Sequence, residues 1–388
     1  MNEYDAKLKK ICEEKAHELY GENLPEEIAA RMEYEWKAIG EQGYAELFLA
    51  LHEVAKQPEN RPIIATSCTG ASFAAFLLGF SEVGPLSEYG GFGIAKETFF
   101  GTPTDPVPLS IHIGAAEDQK ILDCLKRYLG EDRIVKAKDF DDEKTPKWVY
   151  RGKYIVSPRG ESFEEMKKRL APKDLHGKTG ETGPVVITVT DSETGYILSR
   201  LYELTDVSQN DVPVCTAEVL DFIKSGKCPE KVSFFGEPEY RALVKIMDPQ
   251  NISDLAHVMG YACGTYDWDK AACDGEIALW RGRIGTRDDV LNFLCEHGVP
   301  SEEAYTISEN IRLGKGVSEN HRKMLESCGV PAWFIHCADK VRYLFPKAHC
   351  VSIVIAVCRL IWFYLHYPKQ YEQAAEESEH IKTTSETY

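Results

Sequence analysis

The chain is short of positive charge: 45 lysines and arginines stand against 62 aspartates and glutamates, a formal net charge of −17 over 388 residues. A surface that wraps duplex nucleic acid normally carries a basic excess that releases counterions from phosphate. The sequence as a whole lacks that footprint. It also lacks any C-x-x-C pair or metal-ligand spacing among its 12 cysteines, which reads as free core thiols in a reducing cytoplasm. No apolar h-region follows MNEYDAKLKK, so no leader is expected. The long apolar run from Val351 to Tyr367 has Arg359 at its centre and falls short of the roughly 20 residues of a membrane span. It is read as a buried helix, and no internal repeat is seen.

What is present suits a globular protein. Hydrophobic content of 43% and charged content of 28% are ordinary, and the length buries a large core and divides into two or three domains. Residues 1–57 read as two or three helices, with apolar residues at helical spacing from Ile28 to Ile39. Residues 61–86 read as a short strand, a loop of small polar residues and a helix from about Ser72. Such a loop feeding a helix N-terminus suits an anion, and a plain strand-to-helix turn is the alternative. From Gly236 the pattern is helical, with Thr286 as a cap and Asp288 and Asp289 in the first turn behind it. After Tyr367 the chain turns polar, and its end is expected to be disordered.

The rest is organised around ETFFGTPTDPVPLSIHIGAAE, from Glu97 to Glu117. Three prolines make its middle a loop. Beyond it Leu109, Ile111 and Ile113 share one strand face, and Ser110 and His112 share the other. This stretch resembles the PolC-type alpha subunit of bacterial DNA polymerase III, where E-T-F-L-G, a short loop and V-P lead into D-x-D-x-D. Glu97 to Gly101 and Val107-Pro108 match that entry, so the family's two metal-binding aspartates fall on Ile111 and Ile113. Two-metal phosphoryl transfer needs acidic oxygens, and isoleucine has no lone pair to offer. Slipping the register by one residue brings Ser110 and His112 to the sites, a poor magnesium pair as well.

The resemblance runs from about residue 5 to 372. It takes in KAHELYGENLPE (Lys15 to Glu26), YLGEDRIVKA (Tyr128 to Ala137), NISDLAHVMGYACGTYDW (Asn251 to Trp268) and VPAWFIHCADKVRYLFPKAH (Val330 to His349). It implies an α+β fold: a nucleotidyltransferase-type palm with a mixed sheet and a large, mostly helical fingers domain. The implied divisions are 1–117 palm, 118–178 a reduced thumb-like insertion, 179–229 the return of the palm, 230–372 fingers and 373–388 a disordered tail. The family's cysteine-bearing zinc module is absent, since no cysteine lies between Cys68 and Cys124. No exonuclease, PHP or clamp-binding segment is recognised.

The site residues implied are these. Asp206 aligns with the family's third catalytic aspartate, as a remnant without its partners. Gly70 and Ser72 match the loop that cradles the triphosphate, and Lys178 lies in Gly177-Lys178-Thr179, where a P-loop is rejected because the earlier glycine is Pro172. Arg287, Arg312, Lys347 and His349 match basic positions at the nucleotide, and Lys315, Lys340 and Arg342 match positions at DNA. Each also admits the plainer reading of a solvated face. No metal site and no cofactor are expected, and magnesium enters only if activity is retained through relocated ligands such as Asp105, Glu117, Asp118 and Asp206. The implied function is a catalytically inactive polymerase homologue that binds DNA, a nucleotide or a replication protein and no membrane. A working nucleotidyltransferase and a module that mimics part of the replisome are the alternatives.

Overall fold

The computed structural model describes residues 2–86, 91–100, 109–114, 118–137, 152–169, 184–229, 232, 234–268 and 274–378. The chain forms two compact units, Met1–Pro213 with Trp362–Tyr388, and Val214–Ile361.

The first unit opens on α1 (Glu3–Tyr20), closed at its start by a reciprocal Asn2 and Asp5 capping box. Its buried Leu8, Cys12 and Ala16 recur every four residues, which gives one apolar stripe. Then come α2 (Glu26–Glu41) and α3 (Ala45–Lys56), whose Phe48 ring meets Phe80 at 5.5 Å and Phe99 at 5.9 Å. Next are β1 (Ile64–Ala65), α4 (Phe73–Leu77), α5 (Glu97–Phe100), β2 (Leu109–Ile113), α6 (Asp118–Leu129), β3 (Ile134–Lys136), β4 (Lys153–Val156), α7 (Phe163–Arg169), β5 (Val185–Asp191) and α8 (Glu193–Thr205).

The five strands make one mixed sheet in the order β1-β2-β5-β4-β3. Only β2 and β5 run parallel, with Ile111 opposite Val189 and Ile113 opposite Asp191. The mixed sheet of a helix-rich α+β protein is as expected. The stretch expected as a thumb-like insertion, however, supplies β3 and β4 to that same sheet. Ala137, Ile155, Phe163 and Met166 form a buried cluster there, and burying it against α7 holds those two short strands.

The second unit holds α9 (Ala217–Lys224), α10 (Pro238–Met247), α11 (Ile252–Cys263), β6 (Thr265–Tyr266), α12 (Asp274–Arg281), α13 (Arg287–Glu296), α14 (Ser301–Arg312), α15 (Glu319–Ser327), α16 (Ala332–Ala338), β7 (Val341–Tyr343) and the start of α17 (Lys347–His366). Phe334 lies flat on Phe293 at 4.6 Å and against Trp280 at 5.4 Å, which fixes α12, α13 and α16 around one aromatic centre. The Thr286 and Asp289 side chains close a capping box on α13, as the sequence suggests. Helix α17 is long and apolar enough to cross a membrane by length and composition, yet 78% of its apolar window is buried within the protein.

The expected boundaries shift. The helical unit starts at Val214 and ends at Ile361 instead of spanning 230–372. Residues expected to begin a disordered tail at 373 continue α18 (Pro368–Glu377), with Ala374 and Ser378 fully buried. The eleven cysteines of the described residues are free thiols.

Candidate functional site

Strand β2 is where catalytic carboxylates would stand. Leu109, Ile111 and Ile113 are fully buried in the core. The opposite face is also covered: His112 is 8% exposed, and Ser110 Oγ lies 2.5 Å from Thr66 Oγ1 while its backbone N–H donates to Thr69 Oγ1 at 2.8 Å. Neither register of the strand presents an oxygen pair to solvent. Asp206 is not on a strand at all. It caps the C-terminal end of α8, exposed and in the left-handed region at φ 55°. Gly195, near the start of that helix, abuts the Ile113 carbonyl, where a Cβ would sit 2.9 Å from the oxygen. At 1.5 Å per residue, Asp206 lies roughly 17 Å further along the axis. Among the described residues no cluster of three or more His, Cys, Asp or Glu could hold a metal ion.

The expected phosphate cradle at Gly70 and Ser72 is filled from within. Both residues are fully buried. The carboxylate of Glu35, 1% exposed, accepts the Ser72 hydroxyl at 2.8 Å and the backbone N–H groups of Phe73 and Ala74 at 2.8 and 2.9 Å. Arg31 closes the arrangement: its Nε reaches Glu35 at 2.6 Å, and its other nitrogens donate to the Ala71 and Ile94 carbonyls. The donors that would greet a phosphate are thus taken by a carboxylate of the chain itself.

The basic residues of the second unit divide sharply. Arg287, 1% exposed, donates to Glu309 at 2.9 Å and lies against Asp288 at 3.4 Å, so its guanidinium is spent inside the protein. Arg312 grips the same Glu309 and sits over the Tyr343 ring at 5.7 Å. Burial would raise the Glu309 carboxyl, and these two arginines outweigh it and hold the group low. The exposed Arg342 pairs with Asp267 at 2.7 Å. His349 stacks on Phe345 at 5.2 Å, and burial pushes its imidazole down to about 4, so it is neutral near pH 7. Lys315 is exposed and Lys340 half-buried.

Lys347 lines a cavity. That cavity, of about 400 Å³, lies between α10, α11, α12, the cap of α13 and the start of α17, and its polar lining includes Ser253, Asp254, His257, Arg281 and Asp289. The Lys347 backbone N–H donates to Asp288 at 2.8 Å, which fixes the helix start, while its side chain faces the cavity. Among the described residues neither Lys347 nor Arg281 pairs with a carboxylate, although most arginines of this acidic chain do. The two carboxylates present are engaged. Asp254 accepts the Gln250 N–H at 2.8 Å, and Asp289 accepts from Gly285, from Thr286 and, at 3.3 Å, from His257 Nδ1. His257 Nε2 must donate, since its partner at 3.0 Å is the Arg281 carbonyl.

Burial alone would lower the His257 pKa, but the Asp289 hydrogen bond and charge outweigh it and raise the group above 6.5. Burial likewise favours neutral Asp289, and the His257 bond and charge reverse this and lower the group below 3.8. Both shifts favour the charged pair. Because the folded-state pKa of His257 is the raised one, the stability it adds is complete below about pH 6.5 and is lost as pH rises through the folded value. Urea unfolding of wild type and His257→Ala at several pH values should accordingly show a gap that is widest at pH 5.5 to 6 and shrinks above pH 7.

Lys178, Asp105 and Glu117 lie outside the described residues, as does the side chain of Asp118. Sequence reasoning missed Glu35, His257 and Arg281. The signal for Glu35 was slight: it sits at position i+4 from Arg31 on the helix face that carries Ile28, Met32 and Ile39.

Residues 6–152 match the Bacterial DNA polymerase III alpha NTPase domain. Among curated relatives, "DNA polymerase III PolC-type" of Thermotoga maritima is 25% identical across 95% of this chain and 34% of its own length. The proteins of the same name from Clostridium perfringens and Mycoplasmopsis pulmonis are 24% and 26% identical across 95% and 94% of this chain, and 32% of their own lengths. The chain thus spans about a third of the length of the curated relatives it matches. Along 95% of its residues the chain is similar to PolC-type DNA polymerase III.

Proposed function

We propose that this chain does not carry out metal-dependent nucleotidyl transfer and acts instead by binding DNA, a nucleotide or a replication protein. The observation behind this reading is β2, where buried Ile111 and Ile113 stand at the positions expected of the metal ligands. Magnesium demands hard oxygen ligands at octahedral geometry, and a buried hydrocarbon supplies none. The palm, fingers and cytoplasmic location inferred from the sequence go with the same proposal. The nucleotide contact is assigned to the Lys347 cavity, where Lys347 and Arg281 make no salt bridge among the described residues and the two carboxylates are engaged by other donors, which suits a phosphate.

The test pairs primer extension with fluorescence anisotropy. No extension is expected with magnesium or manganese. A labelled primer–template or a nucleoside triphosphate should bind without a metal and more weakly at higher salt, and Lys347→Ala should loosen the triphosphate about tenfold, the worth of one charge-assisted hydrogen bond. Extension above background would overturn the proposal in favour of relocated metal ligands. A second reading, a module that binds a replication protein, is favoured by the net charge of −17. It takes over if neither DNA nor triphosphate binds.

A further inference from the structure

Apart from its cavity and its basic residues, the second unit brings two thiols into contact. Cys215 is half-buried and stands immediately before Thr216, the residue that caps α9. Cys358 lies on α17 and is fully buried. Both are free thiols, and their sulfurs are hydrogen-bonded to each other. The neighbours set the direction of that bond. Cys215 turns its own S–H to the Thr216 carbonyl oxygen at 3.8 Å, so its sulfur accepts from the Cys358 S–H. Sulfurs in direct contact have no atom between them, which is the starting arrangement for a disulfide.

The same bond divides the roles of the two groups. It holds the Cys215 thiol below the ordinary thiol range, outweighing burial, which acts the other way. Donating that bond pushes the Cys358 thiol well above the range, and burial adds to the effect. The thiolate is the form that attacks an oxidant, and the attacking sulfur must be within the oxidant's reach. Cys215 meets both conditions, which leaves Cys358 as the resolving partner. A further buried thiol, Cys228, lies close enough for its charge to act on Cys358.

We propose that Cys215 and Cys358 are a site of redox modification, forming a reversible disulfide when the protein meets a hydroperoxide. In the first step the Cys215 thiolate attacks a peroxide oxygen and the O–O bond breaks. The departing oxygen takes up the former thiol proton and leaves as water or an alcohol, and Cys215 becomes a sulfenic acid. In the second step the Cys358 sulfur attacks it: the S–S bond forms, the S–O bond breaks, and the hydroxyl leaves as water with the Cys358 proton. The two thiols lose two electrons and two protons, and the peroxide gains them. A dithiol reductant reverses the change by exchange. Transient, sensing disulfides of this kind are the ones a reducing compartment permits.

The bond has a structural consequence. Cys215 follows Val214, the first residue of the second unit, and Cys358 lies just before Ile361, its last. Oxidation therefore closes nearly the whole unit into one loop and ties α17 to the chain ahead of α9. The inference does not draw on what the Lys347 cavity binds.

Peptide mapping by mass spectrometry, after the native protein has been treated with hydrogen peroxide and its remaining thiols alkylated, tests this. A linked pair of peptides containing Cys215 and Cys358 should appear, and dithiothreitol should restore both thiols. Cys358→Ala should stop at the sulfenic acid, which dimedone traps on Cys215. Cys215→Ser should slow the oxidation of Cys358 by about tenfold or more, since its attacking partner is gone. Cys295→Ser, which removes an exposed thiol, should leave the link unchanged. Should Cys358→Ala fail to fold, the wild-type map and Cys215→Ser decide the matter. Cys215 and Cys358 both recovered as alkylated thiols, or a bond that joins either of them to Cys228 or to a second chain, would overturn the proposal.

Discussion

Glu35→Ala should cost about 3–5 kcal/mol of stability, the usual consequence of removing one partner from a buried ion pair. The loss has two parts. Arg31, 7% exposed, would keep a buried charge whose carboxylate is gone, and the Phe73 and Ala74 N–H groups would lose their acceptor. Glu35→Gln should lose less, since its amide oxygen still accepts one of those bonds while the charge on Arg31 goes unanswered. Urea titration with a constant slope gives both numbers. A loss below about 1 kcal/mol for the alanine variant would mean that water replaces the carboxylate, and that the loop is available to an outside anion after all.

Restoring the family's carboxylates should do more harm. The double change Ile111→Asp with Ile113→Asp is expected to abolish cooperative folding without yielding primer extension. Both side chains are fully buried on β2, between β1 and β5. An uncompensated ion in such a place costs several kcal/mol even after relaxation, and two of them rival the whole stability of a typical domain, about 5–15 kcal/mol. Circular dichroism on heating would show the lost transition. A soluble double variant with a sharp melt and measurable extension would mean that the strand lies open and that only its ligands had been exchanged.

The parts of this fold that rest on local pattern were legible in the sequence. Leu109, Ile111 and Ile113 alternate cleanly, Thr286 is followed at the right spacing by Asp289, and the run from Val351 has the composition of a buried helix; each appears where it was read. The parts that rest on distant partners were not. Ile134–Lys136 and Lys153–Val156 are short, carry charge and show little periodicity, and they become strands because β5 offers β4 a ladder. Arg287 reads as an exposed cation until Glu309 arrives from another helix. Asp206 aligns with the family's third catalytic aspartate, yet the residues before it fold as helix α8, and an alignment alone carries no information about that.

The division of the chain also sets an order of assembly during synthesis. The second unit is continuous from Val214 to Ile361, whereas the first is completed by residues from Trp362 onward. Helix α18 packs on α8, Arg200 reaches Glu377 at 2.7 Å and the Ser378 hydroxyl reaches Glu193 at 3.3 Å. Those partners leave the ribosome only after every residue of the inserted unit. Domains fold as units while the chain emerges, so the inserted helices close first, and the sheet-bearing unit, begun earliest, is sealed last.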